Sequence, residues 1–104
     1  MEYKLIITEQ AEEQLEACVH YLLYQLKNQQ AATHFLNEME KLYDRLEDNP
    51  YQFPKCGDVY LEGRGYREAI IPKMEYLVIY RMENDTVYVL GIFHRLENYR
   101  NKIV

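Results

Sequence analysis

Three features of this 104-residue chain predict an α+β fold. A short β-favouring run opens it, two helical apolar stripes follow, and three closely spaced β-type runs fill the C-terminal part. The expected arrangement is an N-terminal strand, an αα-hairpin, a three-stranded antiparallel meander with the helices packed on one face, and a short C-terminal helix. Two amphipathic helices cannot hide their apolar stripes from water by pairing alone, and the meander supplies the layer that covers them. A chain of this length supports one modest core, so residues 1–104 are expected to form a single domain.

The elements follow in order. Tyr3 to Ile7 is apolar and β-favouring, which suits a strand. Thr8 followed by Glu9 is a helix-entry signal: the hydroxyl accepts from a free backbone N–H, and the carboxylate suits the positive end of the helix dipole. Ala11, Leu15, Cys18, Leu22 and Leu26 recur at spacings of three and four and share one stripe, while Glu12, Glu13, Gln14 and Glu16 lie off it. Lys27-Asn28-Gln29-Gln30 is the connection. A second stripe, Ala32, Phe35, Met39, Leu42 and Leu46, runs to Asp48, and Pro50 ends it by disfavouring the helical region at Asn49. A Pro- and aromatic-containing loop, Pro50 to Asp58, leads on. Gly63-Arg64-Gly65 reads as a turn; it precedes a strand and lacks the Gly-Lys-Ser/Thr ending of a phosphate loop. The meander strands are Gly65 to Ile71, Tyr76 to Arg81 and Val87 to Arg95, with turns around Pro72–Glu75 and at Asn84-Asp85.

Composition excludes several classes. Hydrophobic residues make up 48% and charged residues 28%, an ordinary globular balance rather than a disordered one. The longest apolar run, Tyr76 to Tyr80, falls far short of the roughly 20 residues a membrane helix needs. Met1-Glu2-Tyr3-Lys4 does not begin a signal peptide, and a cytoplasmic protein is expected. Cys18 and Cys56 stand apart without a Cys-x-x-Cys pair, so they are read as free thiols, and neither a metal nor a cofactor is expected. The net charge of −5 argues against indiscriminate nucleic-acid binding. That average conceals an asymmetry: residues 1–54 balance at −6 and residues 55–104 at +1. An anionic partner should therefore meet the meander half, which ends in His94, Arg95, Arg100 and Lys102.

With those turns, Arg67 lies near Tyr80 and Val89, about 17 Å along the strands from His94. His94 and Arg95 come near Pro72 to Glu75, while Arg67 and Arg81 mark the opposite end. A dispersed binding surface is expected rather than a compact acid–base site. Each side chain also has a structural reading. Arg67 pairs with Glu68 or another carboxylate, Arg81 flanks a hairpin turn, His94 serves as a hydrogen-bonder, and Tyr99 packs a terminal helix. His20 and His34 fall off the stripes and are expected to face solvent. The acidic face Glu9, Glu12, Glu13 and Glu16 is a solvated face, or else opposes a basic partner segment.

The chain resembles the RelE/ParE superfamily of bacterial type II toxins, and its ParE branch more closely. The likeness is carried by Thr8 to Leu15 at the helix entry, Phe35 to Met39 and Leu46 to Pro50 in the second helix and exit, and Gly65 to Glu68 through Tyr80-Arg81 in the central strands. Val89 to Arg95 continues it through the last strand and turn. The resemblance implies a toxin masked by a cognate antitoxin, with a homodimer also allowed. It implies one of two targets: DNA gyrase, poisoned by binding, or the ribosome, where messenger RNA is cut. Cleavage by the 2′-hydroxyl needs a proton acceptor, cations around the phosphate and an acid for the leaving oxygen. The resembling nucleases carry an Arg where this chain has Leu77, and two basic residues where it has Arg67 and Ala69. Gyrase inhibition is therefore the expected activity, with Arg67, Arg81, His94, Arg95, Arg100 and Lys102 binding the target. The alternatives are an endoribonuclease using Arg67, His94, Arg95 and Tyr99, and a relative that only binds an antitoxin. Pro50, Tyr51, Phe53, Leu96, Ile103 and Val104 are the apolar residues expected to meet the antitoxin.

Overall fold

The N-terminal run forms strand β1 (Lys4–Ile7) in a computed structural model of the chain, which describes residues 2–95. Thr8 then caps helix α1 (Glu9–His20), its side-chain oxygen accepting from the Ala11 N–H at 3.2 Å. The helix ends in a wider turn, Tyr21–Gln25, in which Leu26 N–H reaches back to Tyr21 C=O at 3.0 Å. That extra residue rotates later positions off the apolar stripe. Leu26, expected in the core, is consequently 53% exposed, whereas Ala11 and Leu22 are buried.

Lys27 takes a left-handed conformation (φ 51°), and Asn28 caps helix α2 (Gln29–Asp48) by accepting from Ala31 N–H at 3.0 Å. The second stripe is buried throughout: Ala32, Phe35, Met39, Leu42 and Leu46 all join the main core. After Asn49 comes a short turn of 3-10 helix, Pro50–Gln52. The following stretch, too short to show helical periodicity in the sequence, holds helix α3 (Val59–Gly63), capped by Asp58 on the Leu61 N–H. It exits through Gly65, whose φ of 80° suits glycine.

Strands β2 (Arg67–Ile70), β3 (Tyr76–Glu83) and β4 (Thr86–His94) form the antiparallel meander. β1 joins its far edge in parallel with β4, giving the order β1-β4-β3-β2. Tyr76, Val78 and Tyr80 alternate with Leu77 and Ile79 along β3, so the two sets face opposite ways. The first set packs with α1 and α2 in the main core. The second packs with Cys56, Leu61 and Phe93, so α3 and its flanks cover part of the other face.

β3 and β4 lose step at one place: Ile79 faces Gly91 while Tyr80 faces Val89, which leaves Leu90 as the extra residue of a bulge. The helix entry satisfies this irregular edge where β1 has ended. Thr8 Oγ1 donates to Leu90 C=O at 3.3 Å, and Ile92 N–H donates to Gln14 Oε1 at 2.8 Å. Among the described residues, no helix is long and apolar enough to cross a membrane.

Candidate functional site

β4 carries His94 to the helix-facing side of the sheet, opposite Tyr76 of β3, with the two rings edge-on at 5.8 Å. His94, Ile92 and Tyr76 form one wall of a groove of about 500 Å³. Lys73, Met74 and Glu75 of the β2–β3 turn close its end, and Cys18, Tyr21, Leu22 and Leu26 form the other wall. The wide turn after α1 is what places Tyr21 and Leu26 there half exposed, at 48% and 53%. Sequence reasoning missed this wall, because a regular helix would have buried Leu26.

Arg95 follows immediately. Its N–H donates to Glu75 C=O at 2.9 Å, and its guanidinium stands 4.0 Å from the Glu75 carboxylate. Both side chains are about half exposed or more, so solvent screens the pair and the cation stays available to a ligand. His94 and Arg95 thus flank one groove, near the Pro72–Glu75 turn.

Arg67 does not join them. It lies opposite Tyr80, and Tyr80 is four positions along β3 from the partner of His94. With the usual rise and two strand spacings, the separation is about 16 Å. One Arg67 nitrogen donates to Phe53 C=O at 2.6 Å and the guanidinium sits 5.2 Å over the Tyr51 ring, rather than pairing with Glu68. Glu68 instead accepts from Gly57 N–H at 2.5 Å. Arg81 faces the other side of the sheet, stacked 4.5 Å over Tyr88 and bonded to Glu83 at 2.8 Å. The expected cations therefore occupy three separate places.

Leu77, at the slot where the resembling nucleases carry Arg, is buried among Ile79, Phe93 and Leu61. Of the apolar residues expected on the surface, Tyr51 is 53% exposed, but Pro50 is buried. Pro50 is therefore corrected to a core residue: the Tyr80 hydroxyl donates to its carbonyl and holds it inward. Phe53 is half-buried, with Arg45 stacked 4.7 Å above its ring. His34 is also corrected: it is half-buried, and its Nε2 meets Pro72 C=O at 3.0 Å. Leu96, Tyr99, Arg100, Lys102, Ile103, Val104 and the short C-terminal helix lie outside the described residues. Among the described residues, no group of three His, Cys, Asp or Glu side chains is placed to hold a metal ion.

The chain lays an αα-hairpin on a four-stranded sheet, with β1 at the edge of a meander whose last strand ends at His94. The family model described as the ParE toxin of the type II toxin–antitoxin system, parDE, matches residues 5–99, and the chain belongs to this family of toxins. Among solved structures it is similar to the chromosomal ParDE toxin–antitoxin system from P. aeruginosa. That likeness has a TM-score of 0.69 and 16% identity, over 89% of this chain and 96% of that one. It is also similar to the toxin–antitoxin complex RelBE2 from Mycobacterium tuberculosis, at a TM-score of 0.60 and 22% identity, over 91% of this chain and all of the other. No curated protein matches.

Proposed function

We propose that this ParE-family toxin inhibits DNA gyrase by binding and is neutralised by a cognate antitoxin, the whole chain acting as one domain in the cytoplasm. The observation that carries the reading is the separation of its cations. General acid–base cleavage of RNA needs a proton acceptor, a proton donor and a phosphate clamp within hydrogen-bond reach of one reacting group. Arg67 and His94 lie on opposite ends of the ladder, and Leu77 fills the position of the nuclease arginine. A binding surface makes no such demand: it needs exposed cations and apolar contact area, and the groove beside His94 and Arg95 supplies both. Arg100 and Lys102 extend the cationic run in sequence.

Purified toxin added to a gyrase supercoiling assay tests this. Inhibition that is relieved by antitoxin and weakened in Arg95→Glu is the expected result. Full supercoiling at large molar excess overturns the gyrase reading. Cuts mapped by primer extension in translated messages, absent with His94→Ala, would replace it with the endoribonuclease reading. Normal growth on strong induction without a partner would leave only an antitoxin-binding relative.

A further inference from the structure

A second recognition site is built at the other edge of the sheet, where α2 runs past β2. Between them lies a small enclosed cleft of about 100 Å³, floored by Leu42, Phe53, Ile71 and Pro72 and rimmed by Lys41 and Arg45. The backbone of β2 is open at this point. Glu68 N–H is covered by Pro54 C=O, and Ile71 N–H turns inward to Tyr76 C=O, so alternation directs the N–H and C=O of Ile70 outward. The covering segment stops at Pro54, and His34 takes the next outward carbonyl, Pro72. Ile70 lies between them with its side chain 50% exposed, an apolar residue on an unprotected edge.

Two guanidinium groups nearby, Arg45 and Arg67, have no carboxylate partner among the described residues. Arg45 donates from Nε and Nη2 to the neutral Gln52 Oε1, at 3.0 and 2.7 Å, and stacks on Phe53. Arg67, on the same strand as Ile70, is held by the Phe53 carbonyl and the Tyr51 ring. Among the described residues, neither guanidinium is paired with a carboxylate. Each has five N–H donors, so each keeps donors for a further acceptor. Rings and carbonyls pre-orient both groups, which lowers the entropy lost on capturing a carboxylate. Glu38, the acid in the cleft wall, is engaged by Lys41 at 3.4 Å.

We propose that this edge docks an extended, acidic and apolar segment of the antitoxin. Its backbone pairs with Ile70, an apolar side chain enters the cleft, and a carboxylate meets Arg45. The inference rests on the reading that the toxin has a cognate antitoxin. A single carboxylate flanked by apolar side chains suits the site better than a polyanion, because α2 also carries the exposed acids Asp44, Glu47 and Asp48 beside Arg45. Strand addition with side-chain pockets setting specificity is a recurrent mode of peptide recognition.

The test uses full-length toxin and the product of the adjacent open reading frame. Hydrogen exchange on the complex should protect the Ile70 amide at least tenfold relative to free toxin. Arg45→Glu should weaken the complex tenfold or more, and Lys4→Glu at the opposite edge should not. Ile70→Pro removes the outward N–H at an edge where proline is tolerated, and should weaken it similarly. If that variant misfolds, exchange in the wild-type complex decides. Binding with Ile70 unprotected and Arg45→Glu unaffected overturns the site while sparing the antitoxin reading. No binding of wild-type toxin overturns both.

Discussion

The hydroxyl of Tyr80, on the central strand, donates to the carbonyl of Pro50 inside the main core. This bond fastens the end of α2 and the following turn to the sheet, and it places Tyr51 and Phe53 around Arg67. Tyr80→Phe would keep the ring and strand the carbonyl, at a cost of about 1–3 kcal/mol. Urea unfolding should show a lower midpoint at an unchanged slope, and an unchanged midpoint would mean that the bond contributes nothing.

Tyr43 offers the opposite case. Its hydroxyl is buried, and among the described residues it has no hydrogen-bond partner. Removing a polar atom that bonds nothing forfeits no interaction, so Tyr43→Phe should change stability by less than about 0.5 kcal/mol, or raise it. Comparing the two Tyr→Phe variants under one denaturation protocol separates the bonded phenol from the unbonded one.

Alkali should unfold this protein early. Burial, followed by the Glu68 and Asp58 carboxylates, pushes the Cys56 thiol from its ordinary 9.0 up to about 12. Burial, followed by Glu12, pushes the Tyr43 phenol from 10.0 up to about 12, and burial also raises Tyr80. In each case the folded state holds a proton that the unfolded chain releases. The contribution is fully present below about pH 9 and is lost as pH climbs through about 12. The urea midpoint should therefore fall steadily above pH 9. Phenolate absorbance should show two tyrosines ionising only with unfolding, and a flat midpoint across that window would contradict the assignment.

Gly91 has no room for a side chain. A Cβ there would lie 2.4 Å from a ring carbon of Phe93 and 2.8 Å from Gln14 Oε1, the atom that receives the Ile92 N–H. Gly91→Ala forces the buried ring or that hydrogen bond to shift, at a cost of about 1–3 kcal/mol. Thermal unfolding by circular dichroism measures it, and a variant as stable as wild type would show that the bulge absorbs a methyl freely.

Much of this architecture was legible in the residues. The α2 stripe from Ala32 to Leu46 keeps helical period without interruption, and the pairing of Arg67 with Tyr80 followed from the turn residues alone. What escaped depended on local deviations from regular period. The wide turn at Tyr21–Gln25 exposed Leu26, the bulge at Leu90 shortened the distance between Arg67 and His94, and α3 is too short to show periodicity. The parallel pairing of β1 with β4 is not legible in the residues, because an edge strand of four residues carries no signal for which edge it joins. Arg45 carries no signal in the sequence, because its orientation is set by Phe53 and Gln52, which the chain brings back through the turn after α2.

The place of β1 bears on how the protein is born. Lys4 pairs with Thr86 and Ile7 with Val89, so the first strand to be synthesised must wait for the last. Such distant pairing slows folding more than it weakens the product. A nascent chain emerges N-terminus first, and its sheet cannot close until nearly all of it has been translated. Any activity that needs the closed sheet therefore arises only after nearly the whole chain has been made.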